Sequence, residues 1–263
     1  MSNFNEILGI VSVEQLKEGA RLARRNSGKG CVLCDYSGYT NNIQGKAVMC
    51  SCQKEKIFAD LFARANVPKP FFGKSVDDWN TRTDSEGNDL GIQQSISEKI
   101  FIFLNFYNKH IKKIVNGHLP RIKHAGNATN DIHSLMFEGS IGSGKTFIAA
   151  VLVQSAIRQG LTAKYYDWSE ILDIITDFNK KDDADNLAEE LKNLDFIAID
   201  GIESYNNTHP SFIQNLDRLS KARLHSGKPS VLLSIGNANQ ISVGSGWNSL
   251  LRNCLTIRLP HVK

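Results

Sequence analysis

The stretch GSIGSGKT at residues 139–146 restricts the fold of this chain more than any other feature. A glycine, four residues, a second glycine, a lysine and a hydroxyl residue build a loop whose backbone N–H groups turn inward around phosphate oxygens. Gly139, Gly142 and Gly144 supply backbone freedom, and Ser140, Ile141 and Ser143 complete the loop. Lys145 brings a cation to the β- and γ-phosphates, Thr146 offers a hydroxyl to Mg2+, and contacts are expected to reach Phe147. The helix that starts here adds its positive dipole end. The ligand expected is ATP with Mg2+. Such a loop needs a strand before it and a helix after it. The apolar run HSLMFEG precedes it, and residues 145–159 read as a helix closed by Gly160.

From residue 132 onward the pattern is regular. Strands are predicted at 161–166, 196–199, 230–236 and 255–259, and helices at 168–178, 183–193 and from Pro210 to near Gly227. Asp167, Trp168, Ser169 and Glu170 form a capping-box pattern, and Pro210 suits a first helical position. Alternating strands and helices imply an α/β fold with a mostly parallel sheet covered on both faces. Upstream, 92–115 is a long amphipathic helix, 116–131 a polar loop and 81–88 a polar break. Residues 11–25 and 53–65 read as two further helices, the second ended by Pro68 and Pro70. The expected division is 1–86 and 87–263.

A phosphate loop requires a metal-positioning acid on a neighbouring strand. Asp200, closing the apolar run LDFIAID, fills that role and is the second expected Mg2+ ligand beside Thr146. Glu203 is the nearest candidate for the base that activates water. Asn237, or alternatively Ser234, can orient that water from the end of the next strand. Arg252, before the last strand, either reaches a neighbouring subunit's γ-phosphate or is a surface arginine at a helix end.

Cys31-x-x-Cys34 and Cys50-x-Cys52 hold four of the five cysteines within 22 residues. Four thiolates complete a tetrahedral zinc site; free thiols and an iron–sulfur cluster are the competing readings. Cys254 lies in an apolar segment and reads as core, and the seven histidines form no ligand pair.

Hydrophobic content of 41% and charged content of 22% describe a globular chain. The apolar run at 100–107 is too short to span a bilayer, so no membrane partner is expected. The first ten residues lack a basic region before an apolar core, and the expected location is the cytoplasm. A net charge of +4 permits nucleic-acid binding without arguing for it.

The order of these features resembles the DnaC/IstB-like AAA+ ATPases, which include replicative-helicase loaders and their transposition relatives. The likeness runs over roughly 28–260. It is carried by the paired cysteines, KPFFGKSVDDW at 69–79, MFEGSIGSGKTFIAAVLVQSAIRQGLTAKYYDWSEIL, RLHSGKPSVLLSIGN and GWNSLLRNC. The resemblance implies a P-loop AAA+ core and a small zinc-binding N-terminal module; the family's helical lid is expected to be absent or vestigial here, because the sequence stops at Lys263 soon after the last strand. It implies a DnaB-like hexameric helicase as partner, single-stranded DNA as substrate, self-association through ATP interfaces, and a trans role for Arg252. Two departures stand out: Gly201 occupies the position of the usual second acid, and Asn248 that of a frequent arginine. With Gly201, either Glu203 acts from an altered turn or hydrolysis is slow and the chain works as a nucleotide switch. A duplex-binding transposition accessory ATPase is an alternative, as is a nucleotide-gated scaffold. Residues 1–27 are expected to dock the helicase or, alternatively, to fold back onto the zinc module. Lys164, Lys180 and Lys181 follow the segment where related loaders carry a DNA-binding helix, and a solvated charged face explains them equally well.

Overall fold

The computed structural model describes residues 31–34, 37–79, 92–117, 134–176, 181–202, 210–235 and 244–260. The expected helix at 11–25, the break at 81–88 and nearly all of the loop at 116–131 lie outside them. The chain divides into two compact units, Met1–Asp60 and Leu61–Lys263.

In the first unit the residues between the cysteine pairs form a hairpin. β1 (Tyr39–Asn41) pairs antiparallel with β2 (Ala47–Met49), and Asn42 closes the turn by accepting from the Gln44 and Lys46 N–H groups at 3.0 and 2.9 Å. α1 (Ser51–Arg64) follows directly. Its stop is not the prolines: Asn66 is left-handed (φ 55°), and the Val67 N–H bonds the Phe62 carbonyl at 3.0 Å. This is a helix end closed by a single residue in the left-handed region.

In the second unit, β3 (Ser134–Glu138), β4 (Ala163–Asp167), β5 (Phe196–Asp200), β6 (Ser230–Ser234) and β7 (Cys254–Arg258) form one parallel sheet in the order β4-β5-β6-β3-β7. The inner strands β3, β5 and β6 are almost wholly buried and need cover on both faces. One face receives α3 (Lys145–Arg158), which packs in turn on α2 (Ile92–Val115). The other is covered by α4 (Trp168–Thr176), α5 (Lys181–Asn193), α6 (Pro210–Ser226) and α7 (Gly244–Arg252). There Met136, Tyr166, Ile197, Ile199 and Leu232 meet Trp168, Leu172, Leu191, Leu219 and Trp247 in one buried cluster. Truncating a buried leucine such as Leu232 to alanine would cost about 2–5 kcal/mol.

Residues 61–79 belong to the second unit. The Tyr165 N–H on edge strand β4 donates to the Ala65 carbonyl at 2.8 Å, which occupies a group the edge would otherwise expose. Gln154 of α3, fully buried, accepts from Gly73 N–H at 2.9 Å and donates to the Phe71 carbonyl at 2.8 Å. Phe71 and Phe147 meet edge to face at 5.8 Å. Arg223 is buried at the far end of the sheet, where it bonds Ser230 Oγ and the carbonyls of Leu191, Leu194, Asp195 and Pro229.

Candidate nucleotide site and cysteine centre

β3 delivers the chain into the phosphate loop, and Gly139 N–H bonds the Ser234 carbonyl at 3.2 Å, which fixes the loop's start to β6. Gly144 caps α3 at φ 87°, a conformation that favours glycine. A Cβ there would also lie 2.9 Å from the Trp79 indole nitrogen. Lys145 is buried and folds back to donate to the Gly139 and Ser140 carbonyls at 2.7 and 2.8 Å. It thus sits at the centre of the loop, where phosphate oxygens can replace the carbonyls.

Thr146 Oγ1 donates to Asp200 Oδ2 at 2.6 Å, and the Tyr165 hydroxyl donates to the same oxygen at 2.6 Å. The pairing Tyr165↔Ala198 puts Tyr165 on the face that Asp200 shares, and the small Ala198 leaves it room. Burial, then the Asp200 charge, pushes the Tyr165 phenol up, so it remains a donor at neutral pH. A hydroxyl beside a carboxylate is an oxygen donor set suited to Mg2+. The expected neighbouring strand needs correction: β5 is separated from β3 by β6, and Asp200 reaches Thr146 past it.

Gly201 has φ 77°, and the next N–H, of Ile202, bonds the Leu233 carbonyl at 3.2 Å. The chain turns back onto β6 at the position where the resemblance puts a second acid, and a residue with a Cβ would be strained there. Glu203 and Asn237 lie outside the described residues. Ser234 is fully buried at the end of β6. Arg252 ends α7, exposed and without a hydrogen-bond or ion-pair partner among the described residues. Lys164 is not a free cation: it pairs with Glu190 at 2.7 Å and lies over the Tyr166 ring.

Three features escaped the sequence reading. Tyr165 carries no motif, and strand alternation alone signals its face. Trp79 lies in the quoted KPFFGKSVDDW segment, but its contact with the loop is tertiary. Glu138 precedes the loop and accepts from Arg258 Nε at 3.1 Å beside a cleft of about 670 Å3 lined also by Ile141, Ile235 and Leu259.

The cysteine centre lies in the first unit. Cys31 precedes and Cys34 ends a tight turn of helix, Val32–Cys34, while Cys50 follows the hairpin and Cys52 lies in the first turn of α1. The short C-x-C spacing follows from this strand-to-helix corner. All four sulfurs lie within 4.8 Å of one another, with Cys31–Cys50 at 3.8 Å and Cys34–Cys52 at 3.6 Å. Tetrahedral zinc with bonds of about 2.3 Å separates its sulfurs by about 3.8 Å, so the set fits that ion. No disulfide joins them. The Cys52 N–H donates to Cys50 and draws its thiol down to about 7. Burial and the neighbouring thiols push Cys52 up to about 12. Sulfurs this crowded cannot all ionise without a cation among them.

Sheet order, phosphate loop and the Thr146–Asp200 pair together define a parallel α/β core of the P-loop type. Among solved structures, the chain is similar to the crystal structure of the DnaC helicase loader: TM-score 0.52, 12% identity, covering 73% of this chain and all of that one. It also matches a crystal structure of DnaI (TM-score 0.48, 15% identity, 73% of this chain and 91% of that one). A third match is replication initiator DnaA bound to AMPPCP and single-stranded DNA (TM-score 0.49, 12% identity, 73% of this chain); the chain spans about half of that protein's length. At 12% identity the likeness to the DnaC helicase loader is one of fold. No family profile and no curated protein matches the sequence. No helix among the described residues is long and apolar enough to cross a membrane.

Proposed function

We propose that this chain is a cytoplasmic, ATP-dependent loader that places a DnaB-like hexameric helicase on single-stranded DNA during replication. The observation that carries the reading is the Lys145–Thr146–Asp200 arrangement on a fold shared with a helicase loader. Residues 139–147 wrap the phosphates, and Lys145 leaves the loop carbonyls to meet the β- and γ-phosphate oxygens. Thr146 and Asp200 would hold Mg2+, which screens the phosphate charge when bound. Tyr165 holds the Asp200 carboxylate in place. Arg252, exposed and unpaired among the described residues, is available to a neighbouring subunit's nucleotide. Glu203 and Asn237 complete the hydrolytic set. Cys31, Cys34, Cys50 and Cys52 hold a structural zinc.

The division of labour puts helicase docking and the metal in residues 1–86, with residues 1–27 as the docking segment, and nucleotide chemistry in 87–263. Segment 61–79 serves the second part, because it packs on α3. The reading predicts that the chain co-purifies with a hexameric helicase and transfers it to a circular single strand only when ATP is present. Transfer at the same rate without nucleotide would overturn it. Mixing Arg252→Ala with Lys145→Ala chains should restore part of the activity at mixed interfaces; an Arg252→Ala chain indistinguishable from wild type would return that residue to the plain surface.

One observation favours a second reading. The left-handed Gly201 cannot readily be an acid, which suits a slowly hydrolysing, nucleotide-gated scaffold. ATP turnover below the rate of helicase transfer would select it. The duplex-binding transposition reading predicts higher affinity for duplex than for single strands.

A further inference from the structure

Several lysines of the second unit are neutralised by carboxylates, while four that are not gather on one helix. Lys74, Lys164, Lys192, Lys221 and Lys228 each pair with a carboxylate at 2.5–3.6 Å. Lys99, Lys109, Lys112 and Lys113, all on α2, pair with none among the described residues. Glu98 is the single acid in this 24-residue helix.

Those lysines are interleaved with apolar groups. α2 buries Ile100, Leu104, Tyr107, Ile111 and Ile114. Half a turn away, Lys99, Ile102, Phe106, Lys109 and Lys113 follow one another at three- and four-residue steps and share the opposite face. Ile102 is 67% exposed. Phe106 is half-buried, and the His110 ring folds back onto it with centroids 4.4 Å apart and planes 33° from parallel. His110 Nδ1 lies 2.8 Å from the Phe106 carbonyl, which holds the pair together. The result is a partly aromatic platform edged by cations.

We infer that this face of α2 is a docking strip for single-stranded nucleic acid, with the lysines on phosphates and Ile102 and the Phe106–His110 pair against bases. Unpaired lysines supply the complementary charge. The platform favours a single strand over a duplex, because a duplex hides its base faces and would leave Ile102 and Phe106 against charged backbone. Lys164 is excluded from this role by its bond to Glu190. The inference rests on the reading that the core engages a single strand, and it adds where.

The test is fluorescence anisotropy of a labelled oligothymidine, and of the same strand in a duplex, against the full chain over a salt series. Wild type should prefer the single strand. The K109E/K113E variant should lose about tenfold or more in affinity, with a shallower dependence on salt, while K109R/K113R should bind as wild type. F106A should weaken binding several-fold and leave the salt slope unchanged. Unaltered binding of a fluorescent ATP analogue certifies that each variant is folded. If wild type binds and K109E/K113E binds equally, the strip is overturned and the strand-binding reading stands. A wild-type chain that ignores single strands brings down both. Equal affinity for duplex, or an F106A chain with wild-type affinity, overturns the base platform.

Discussion

Leu135, Phe137, Leu152, Val231 and Leu233 are shut off from solvent, whereas between residues 31 and 60 the buried side chains among the described residues are those of Cys34 and Cys50. Leu33, Ile43, Val48 and Ile57 of that first unit all face water. The two regions therefore hold together by different means. A five-stranded sheet covered on both faces removes enough apolar surface to offset its chain entropy. A hairpin of two three-residue strands and the start of a helix do not, and units this small usually need a staple. The four sulfurs are where a staple fits. The metal would serve as that unit's core rather than as an addition to it.

The largest effect that tests this contrast is chelation. Binding of structural zinc is worth about 10–16 kcal/mol in small domains, more than such a unit can supply otherwise. A strong chelator, or Cys34→Ser, should abolish hydrogen-exchange protection in 39–57 and leave the core's thermal transition in place. Elemental analysis should find one zinc per chain, and protection that survives metal removal would break the comparison.

Next comes Lys145→Ala. Losing the cation at the loop's centre removes about 3 kcal/mol of charge-assisted bonding, on the order of 100-fold in nucleotide affinity, with the thermal midpoint kept. Titration with a fluorescent ATP analogue reads it, and unchanged affinity would sink the phosphate-loop assignment.

Arg223→Met probes the core alone. It strips the donor from Ser230 Oγ and from four carbonyls, two of them buried and two part-buried, and should cost about 3 kcal/mol, or roughly 6–12 °C in Tm. Zinc content should not change. The smallest effect is Gly201→Asp: forcing an L-residue to φ 77° should lower stability by about 1–2 kcal/mol in a denaturant titration. A neutral result would show that the turn can relax, and that a second acid is compatible with this chain.

Much of this was legible in residue order, for a physical reason in each case. Strands and helices from 134 onward declare themselves because burial on two faces demands long apolar runs and their covering helices demand a 3.6-residue period. Gly139, Lys145, Thr146 and Asp200 were readable because phosphate chemistry fixes their spacing. That Cys31, Cys34, Cys50 and Cys52 come together was readable from their paired spacing. Pairing between distant strands leaves no local trace, so the interposition of β6 between β3 and β5 was hidden. The hairpin at 39–49 is too short and polar to show a period, and the α1 stop at Asn66 was masked by the nearby prolines. Tyr165 and Trp79 act through contacts that only the folded chain creates.

Trp79 has one more consequence. Its indole rests on the turn at Gly144, while Trp168 and Trp247, the chain's other two tryptophans, are buried at 3% and 1% exposure in the opposite layer. Two of the three fluorophores thus give a steady glow, and the third touches the part that must rearrange when phosphate displaces the Lys145 contacts. The unlabelled protein is its own optical gauge of occupancy: emission should shift on adding nucleotide, and Trp79→Phe should silence the change while leaving the background intact.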